Sequence, residues 1–421
     1  MPRPPARLDW DAARLEKADV TIVGAGPAGL AAAREAAGAG MRVLLIDENA
    51  DVGGQIWRGE AHRAPSTGAV RVLTHTSVLA ADGRVLLAQR GDLPLRIAFE
   101  KLVLCTGARE RWIPFPGWTL PHVMGAGGMQ AMVKNGLATG GKRVVVAGSG
   151  PLLLAVAAYL KRRGAVVAAI VEQADAARIR RFAMQLLGRP AKLAQAAALR
   201  ASLVGVPYLP GAWIVEAQPG AVTILDRGRK SRIECDYVAA GYGLVPNTEL
   251  AQVLGCGVEN GAVAVDELQR TSVEGVWCAG EPVGIGGVDA AEIEGRIAGL
   301  AASGKLEPAR ALTPSRARTR RFAGLLAETF ALREELIRVP TAETTVCRCE
   351  NVTLGRLRGH GGWREAKLQS RCGMGPCQGR VCGPIVETLF GWRAASIRPP
   401  VLPASVGALA ASTNTEADRA E

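Results

Sequence analysis

Five of the nine cysteines lie in the C-terminal part of the chain, where their spacing is typical of a metal site. Cys347 and Cys349 form a C-x-C pair, and Cys372, Cys377 and Cys382 follow at intervals of five residues. Four thiolates are the usual ligand set of a [2Fe–2S] cluster, and zinc uses the same set. The glycines among the last three cysteines favour a cluster, because their amides can donate hydrogen bonds to its sulfides. The equal spacing does not decide which cysteine is the fifth, unligated one.

The other four cysteines, Cys105, Cys235, Cys256 and Cys278, stand in apolar or glycine-rich surroundings. Such surroundings predict buried, unreactive thiols. Neither dinucleotide-like segment of the chain contains a C-x-x-C pair, so a redox-active disulfide is excluded there. We therefore predict no catalytic side chain and look for cofactors instead.

A glycine-rich turn near the N-terminus predicts a dinucleotide site. An apolar run from Val20 ends in the residues GAGPAG, a small-residue helix follows, and a second apolar run closes on an acid. In a βαβ unit the three glycines permit the tight turn, the approach of a pyrophosphate and close helix packing, and the acid binds the ribose. The helix N-terminus favours the phosphates. The predicted ligands are Gly24, Gly26, Pro27, Ala28, Gly29, Asp47 and Glu48.

A second βαβ pattern, from Lys142 to Glu172, indicates an internal duplication. It keeps Gly148 and Gly150, but Leu153 stands at the third glycine position. Glu172 closes its second strand, and an acid there would favour NADH over NADPH. Leu153 would move the helix away from the strand and narrow the pyrophosphate seat. The pattern thus leaves open a working NADH site, a structural adenine-nucleotide site and an empty scaffold.

Three further stretches resemble the two-dinucleotide flavoproteins and indicate FAD in the first site. Gly53-Gly54-Gln55 resembles the turn that runs along the flavin side of FAD. Thr106 and Gly107 end a later strand, and Gly280 and Glu281 resemble the strand end whose acid meets the flavin ribitol. That acid is usually Asp, so Glu281 is a departure. The resemblance adds Gly54, Gln55, Thr106, Gly107, Gly280 and Glu281 to the predicted cofactor-binding residues.

Composition excludes several classes of protein. The net charge is +12 in 421 residues, but no nucleic-acid motif or interleaved aromatic residues accompany the arginines. The sequence contains no apolar run long enough to span a membrane, and residues 1–19 lack the apolar core of a signal peptide. We expect a cytoplasmic protein that binds no nucleic acid, with peripheral association at the inner face of the membrane as its closest membrane contact.

The cysteine-rich segment resembles the bacterioferritin-associated-ferredoxin-like (BFD-like) domain. Its CRCE and GMGPCQGRVC stretches carry the resemblance. With CTGARERWIPFPGWTLP, GSGPLLLAVAAYL and CAGEPVGIGGVDAAEIEGRIAG, nearly the whole chain is similar to the larger (α or A) subunits of heteromeric opine oxidases. Subunits of dye-linked L-proline and D-hydroxyproline dehydrogenases and of hydrogen cyanide synthase are similar too. The resemblance implies that the ligands are Cys347, Cys349, Cys377 and Cys382, with Cys372 as a neighbour.

The resemblance implies an electron-transfer subunit. A partner flavin subunit similar to glycine or sarcosine oxidase would oxidise a C–N bond of an opine, proline, hydroxyproline or sarcosine. A small ferredoxin-like γ subunit, FMN at a subunit interface, and NADH, ATP or ADP in a nucleotide site are further expectations. Two alternatives remain: a stand-alone NADH-dependent FAD/[2Fe–2S] reductase and a non-catalytic scaffold subunit.

The expected fold is α/β, with two Rossmann-like domains, the second inserted in the first, and a small helical BFD-like domain. The expected division is an N-terminal arm (1–17), an FAD domain (18–120 and 245–305) and an inserted nucleotide domain (121–244). A linker with a helix (306–340), the cysteine-rich domain (341–395) and a flexible tail (396–421) complete it.

Overall fold

The computed structural model describes residues 18–58, 70–394 and 396–413. The expected N-terminal arm (1–17) and the end of the expected tail (414–421) lie outside the described residues. The described chain divides into two compact units. The first contains 18–108, 246–320 and 396–413, and the second contains 109–245 and 321–394.

The secondary structure alternates between strands and helices in both units. The strands are β1 Val20–Val23, β2 Val43–Ile46, β3 Arg71–Leu73, β4 Thr76–Asp82, β5 Val85–Arg90, β6 Leu93–Ala98, β7 Leu102–Leu104, β8 Ala108–Glu110, β9 Val123–Gly125, β10 Arg143–Gly148, β11 Val166–Glu172, β12 Tyr208–Pro210, β13 Ala212–Gln218, β14 Ala221–Asp226, β15 Arg229–Glu234, β16 Tyr237–Gly241, β17 Leu244–Pro246, β18 Val258–Glu259, β19 Ala262–Val263, β20 Val276–Cys278, β21 Thr345–Cys347 and β22 Val352–Thr353. The α-helices are α1 Pro27–Gly38, α2 Ala126–Lys134, α3 Leu152–Arg162, α4 Ala176–Gln185, α5 Pro190–Ser202, α6 Glu249–Val253, α7 Val288–Ala302, α8 Leu306–Arg310, α9 Thr313–Thr329, α10 Leu354–Leu357, α11 Trp363–Ser370, α12 Cys382–Phe390 and α13 Val406–Thr413.

The first unit is built on a parallel sheet with the strand order β20-β7-β1-β2-β3. β1, β2, β7 and β20 are buried along their whole length, and apart from Thr21 their residues are apolar, as a sheet covered on both faces requires. Helices α1 and α7 pack so closely that a Cβ atom at Gly295 would overlap the backbone of Ala28, and one at Gly299 would overlap that of Ala32. An antiparallel meander, β4-β5-β6, extends from this sheet.

The second unit repeats this architecture with the parallel strand order β12-β11-β10-β16-β9. The equivalence of β10 and β11 to β1 and β2 places both glycine turns after the central strand of their sheets. The equivalent edge strands, β20 and β9, come from different places in the sequence. β9 precedes the second glycine turn, whereas β20 follows the first. An antiparallel sheet, β13-β14-β15, joins this unit. The predicted α/β fold with two Rossmann-like folds and a helical C-terminal region is confirmed.

The cysteine-rich segment, residues 341–394 of the described chain, belongs to the second unit. It consists of the short hairpin β21-β22 and helices α10, α11 and α12. Its apolar residues join the same core as the second sheet, including Val346, Leu357 and Ile385, all of which are buried. Trp118 anchors it, since its indole Nε1–H donates to the Thr345 carbonyl at 2.7 Å.

Residues 396–413 belong to the first unit and contain α13, although the sequence predicts a flexible tail there. The amide of Val401 donates to the Leu79 carbonyl at 2.8 Å, and that of Ser405 donates to Gln89 Oε1 at 3.0 Å. Ala408 is buried. Hydrogen bonds to the meander therefore hold this part of the chain.

Candidate cofactor sites

The first glycine turn is closed so tightly that two of its glycines cannot be replaced. Gly24 has φ +102°, and a Cβ atom there would overlap the Cys105 carbonyl oxygen at the end of β7. A Cβ atom at Gly29 would overlap the Gly24 carbonyl oxygen. Gly26 caps helix α1 in an extended conformation, and Pro27 occupies the first turn. The turn therefore places the N-terminus of α1 at the carboxyl end of β1.

The Gly53-Gly54 segment lies directly over Gly26. The Gly53 amide donates to the Ala25 carbonyl at 2.7 Å, and a Cβ atom at Gly54 would stand 3.0 Å from Gly26 Cα. Both sides of this cradle are bare backbone beside a helix N-terminus, which is the environment that a pyrophosphate requires. The residues present therefore fit the diphosphate of a dinucleotide such as FAD.

Asp47, the predicted ribose acid, and its neighbour Glu48 have different environments. Asp47 is buried, and its Oδ2 accepts the Ala25 amide at 2.6 Å. Its Oδ1 accepts the backbone amide and the side-chain Nδ2 of Asn49, at 2.8 and 2.7 Å. Both oxygens therefore hold the protein's own turn together. Glu48, predicted only as a cofactor-binding residue, is exposed at the same strand end and is therefore a second candidate for the ribose hydroxyls.

The predicted flavin-side residues lie at the carboxyl ends of β7 and β20. Thr106 Oγ1 donates to the Asn247 carbonyl at 2.7 Å, and Asn247 Nδ2 donates to the Thr106 carbonyl at 2.9 Å. Gly107 has φ +70°, while Gln55 is exposed on its loop. Asn247, which the sequence analysis missed because no local motif marks it, therefore positions the predicted site residue Thr106.

Glu281 binds the start of helix α7. Its carboxylate accepts the amides of Gly286 and Gly287 at 3.3 and 2.9 Å, and burial raises its pKa. Gly280 has to be glycine, because a Cβ atom there would stand 2.8 Å from Ala28 Cβ. Glu281 thus holds the glycine loop before α7, close to the turn that carries Ala28.

A buried ion pair, also missed from the sequence, supports this loop. The Glu294 side chain is fully buried, and Arg320 of α9 binds it through Nε at 2.5 Å and Nη2 at 2.6 Å. Arg320 Nη1 also donates to the Gly284 carbonyl at 2.8 Å. The Gly280 amide donates to Glu294 Oε2 at 3.2 Å. The pair therefore connects α9 with the strand end that carries Glu281.

The second glycine turn is filled by protein groups. Gly148 and Gly150 have φ +139° and +95°, and Glu172 is buried. Glu172 Oε2 accepts the Gly150 amide at 2.7 Å, and its Oε1 accepts the Ala174 amide at 2.9 Å. Burial raises the pKa of Glu172 to about 7, although these amides act in the opposite direction. Leu153 is buried in the core.

The five C-terminal cysteines form two neighbouring groups within the second unit. The sulfur atoms of Cys347, Cys372 and Cys382 lie within 4.8 Å of one another and are buried. Cys349 and Cys377 form a second pair, joined by hydrogen bonds between Cys377 and the Cys349 thiol. A Cβ atom at Gly375 would overlap Cys349 Cβ, so glycine is needed beside this pair. The structure therefore places Cys372 in one group with two of the predicted ligands, Cys347 and Cys382, while the other two, Cys349 and Cys377, form the pair.

The electrostatics of the three-cysteine group suit a cation. Hydrogen bonds from Cys372 and Cys382 lower the pKa of the Cys347 thiol, so this sulfur is the most easily ionised of the three. Hydrogen bonds with Cys347 and Cys372, together with burial, raise the pKa of the Cys382 thiol. A thiolate is the form that binds a metal. The donor set of thiol sulfurs is compatible with zinc or iron.

Both glycine turns lie within the part of the chain that matches a known family. The sequence profile of the pyridine nucleotide-disulphide oxidoreductases matches residues 18–295, which include both glycine turns. The chain belongs to the pyridine nucleotide-disulphide oxidoreductase family. It is therefore an oxidoreductase, as the sequence predicts.

Relatives within this oxidoreductase family match over most of their length. The hydrogen cyanide synthase subunit HcnB of Pseudomonas protegens is 31% identical, over 86% of this chain and 89% of its own. The A subunit of opine oxidase from Rhizobium meliloti is 32% identical, over 93% and 98%. The crystal structure of L-proline dehydrogenase from P. horikoshii superposes with a TM-score of 0.69 over 94% of this chain and 79% of its own, at 19% identity. The predicted resemblance is confirmed, and the solved structure adds agreement in fold.

Proposed function

We propose that this chain is the electron-transfer subunit of a heteromeric dehydrogenase or oxidase for amino acids or opines. FAD would be held by the first glycine turn and its loops, and a [2Fe–2S] cluster by Cys347, Cys349, Cys377 and Cys382. A flavin takes up electron pairs, whereas a cluster carries single electrons. A partner subunit similar to glycine or sarcosine oxidase would oxidise the C–N bond and supply the electrons.

The gathering of five cysteines in a chain that also has a bare-backbone dinucleotide cradle carries this proposal. The relatives support it, because HcnB and the opine oxidase relative are both named as subunits. An interface FMN and a small ferredoxin-like γ subunit would complete the proposed complex. All nine cysteines are free, which suits a reducing compartment, and we propose the cytoplasm. No described helix is long and apolar enough to cross a bilayer.

The test is reconstitution. The chain is co-expressed with a reading frame for a glycine-oxidase-like protein from the same gene neighbourhood, and the complex is purified. It is then offered proline, hydroxyproline, sarcosine or an opine with an artificial electron-accepting dye. We expect substrate-dependent dye reduction only when both chains are present.

Two outcomes would contradict the proposal. If this chain alone reduces the dye with NADH and no partner co-purifies, it is a stand-alone reductase. If no donor reduces its flavin even in the complex, its cofactors are structural and the chain is a scaffold.

A further inference from the structure

The second dinucleotide fold carries a segment of its own chain on its glycine turn. This segment, Phe330–Arg333, follows helix α9 and leads to the cysteine-rich segment. Ser149, between the two glycines of the turn, donates its hydroxyl to the Phe330 carbonyl at 2.8 Å. The nearest atoms to a Cβ atom built on Gly150 are those of Phe330, at 3.7 Å. The side chain of Phe330 therefore lies over the glycine against which a pyrophosphate would rest.

A fully buried glutamine binds the segment through both ends of its amide. Gln173 Nε2 donates to Ser149 Oγ at 2.9 Å and to the Ala331 carbonyl at 3.1 Å. Its Oε1 accepts the Arg333 amide at 3.1 Å. Buried amides need hydrogen-bond partners, and the partners of Gln173 are the turn and the segment. Gln173, the residue after Glu172, therefore forms hydrogen bonds with a peptide segment of the same chain.

Aromatic contacts hold the segment on its other side. The Phe330 ring meets Phe182 of α4 edge-on at 5.4 Å, and Phe182 stacks on Phe322 at 6.4 Å. The Arg333 guanidinium lies 5.1 Å over the Trp213 ring. These contacts fix the segment beyond its hydrogen bonds.

We propose that the second dinucleotide fold binds Phe330–Arg333 in place of a dinucleotide, with Gln173 as the positioning residue. The fold then serves to hold the chain that leads into the cysteine-rich segment, and NADH has no seat on this turn. The inference goes beyond the proposed function, and its test needs no partner subunit.

The experiment combines NADH titration with amide hydrogen exchange on the FAD-loaded full chain. For the wild type we expect no saturable NADH binding up to about 1 mM, the upper end of ordinary substrate affinities. We also expect slow exchange of the Arg333 amide, because its acceptor is buried. Gln173→Ala should raise that exchange rate about tenfold, in line with the loss of one or two hydrogen bonds. The control is Gln185→Ala at the exposed end of α4, which should leave the rate unchanged.

Ser149→Ala is a milder second variant, expected to raise the same rate less, and it keeps the test valid if Gln173→Ala fails to fold. Saturable NADH binding that Gly150→Val abolishes would overturn the proposal. Unchanged Arg333 exchange in both folded variants would do so as well.

Discussion

At the residue scale, environment separates residues that look equivalent in the sequence. Asp47 and Glu48 are neighbours, yet the carboxylate of Asp47 is engaged by Ala25 and Asn49 whereas Glu48 is exposed. Cys372 was expected to be a neighbour of the ligands, and it lies within the three-sulfur group. In both cases the side chain's contacts, not its type, assign its role.

Glu48→Gln tests the ribose assignment. A hydrogen bond to a charged group contributes about 1.5–3 kcal/mol, so we expect FAD to bind about tenfold more weakly or worse. The measurement is FAD titration of the apoprotein by flavin fluorescence. Glu259→Gln, another exposed glutamate of the same unit, is the matched control. Equal affinity in the two variants would remove Glu48 from the site.

Cys382→Ser tests the ligand set. Because the predicted cluster needs four thiolates, we expect loss of the visible cluster spectrum together with loss of iron and acid-labile sulfide. Cys235→Ala, which removes a buried thiol of the same unit, should keep all three. A full cluster spectrum in Cys382→Ser would contradict the assignment and point to Cys372 as the fourth ligand.

At the element scale, buried charges tie helices to loops. Arg320 of α9 is the main partner of the buried Glu294 on α7, while Arg316 approaches the same carboxylate at 3.5 Å. Removing one partner of a buried pair leaves an uncompensated charge.

We therefore expect Arg320→Met to lower the free energy of unfolding by about 3 kcal/mol, measured by urea denaturation. Arg318→Met, on the exposed face of the same helix, should change it by less than about 0.5 kcal/mol. The double variant Arg320→Met/Glu294→Met should recover most of the loss, since no charge is left buried. Stability equal to that of the wild type in Arg320→Met would show that Arg316 alone satisfies Glu294.

The buried Glu172 predicts a pH dependence of stability. Its pKa of about 7 in the native state exceeds the ordinary value of about 4.3, so between these values only the native state holds the proton. Stability from this group is complete below about pH 4.3 and is lost as pH rises to about 7, by about 4 kcal/mol at most.

Urea denaturation across that range should show a steeper decline with rising pH for the wild type than for Glu172→Gln. Glu234→Gln, an exposed glutamate of the same unit, should retain the wild-type slope. Parallel curves for the wild type and Glu172→Gln would mean that the carboxylate is ionised throughout.

At the scale of the whole molecule, each compact unit has its own parallel sheet and core, and each holds one candidate cofactor site. The glycine cradle belongs to the first unit and the cysteines belong to the second. Loading of the two sites should therefore be independent.

Gly26→Val tests this independence. The backbone of Gly26, at φ −76°, accepts a side chain, and its Cβ atom would reach only ordinary contact with Gly54. We expect the variant to fold and keep its iron while losing FAD, because the valine methyl groups would fill the pyrophosphate seat. Gly38→Ala, at the end of the same helix where space is open, should keep both cofactors. Loss of iron in Gly26→Val, or of FAD in Cys382→Ser, would show that the sites load together.

The sequence alone determined the two βαβ folds, the glycine turn of the first fold and the clustering of cysteines in the C-terminal segment. These follow from local requirements: Gly24 at φ +102° has no substitute, and buried parallel strands need continuous apolar runs. Only the tertiary structure decided which thiols meet, that Asp47 serves its own turn, and that α13 is ordered. It also placed Phe330 on a turn 181 residues earlier and Arg333 on Gln173, 160 residues earlier. Such contacts depend on the folded path of the whole chain, and no local pattern of residue types records them.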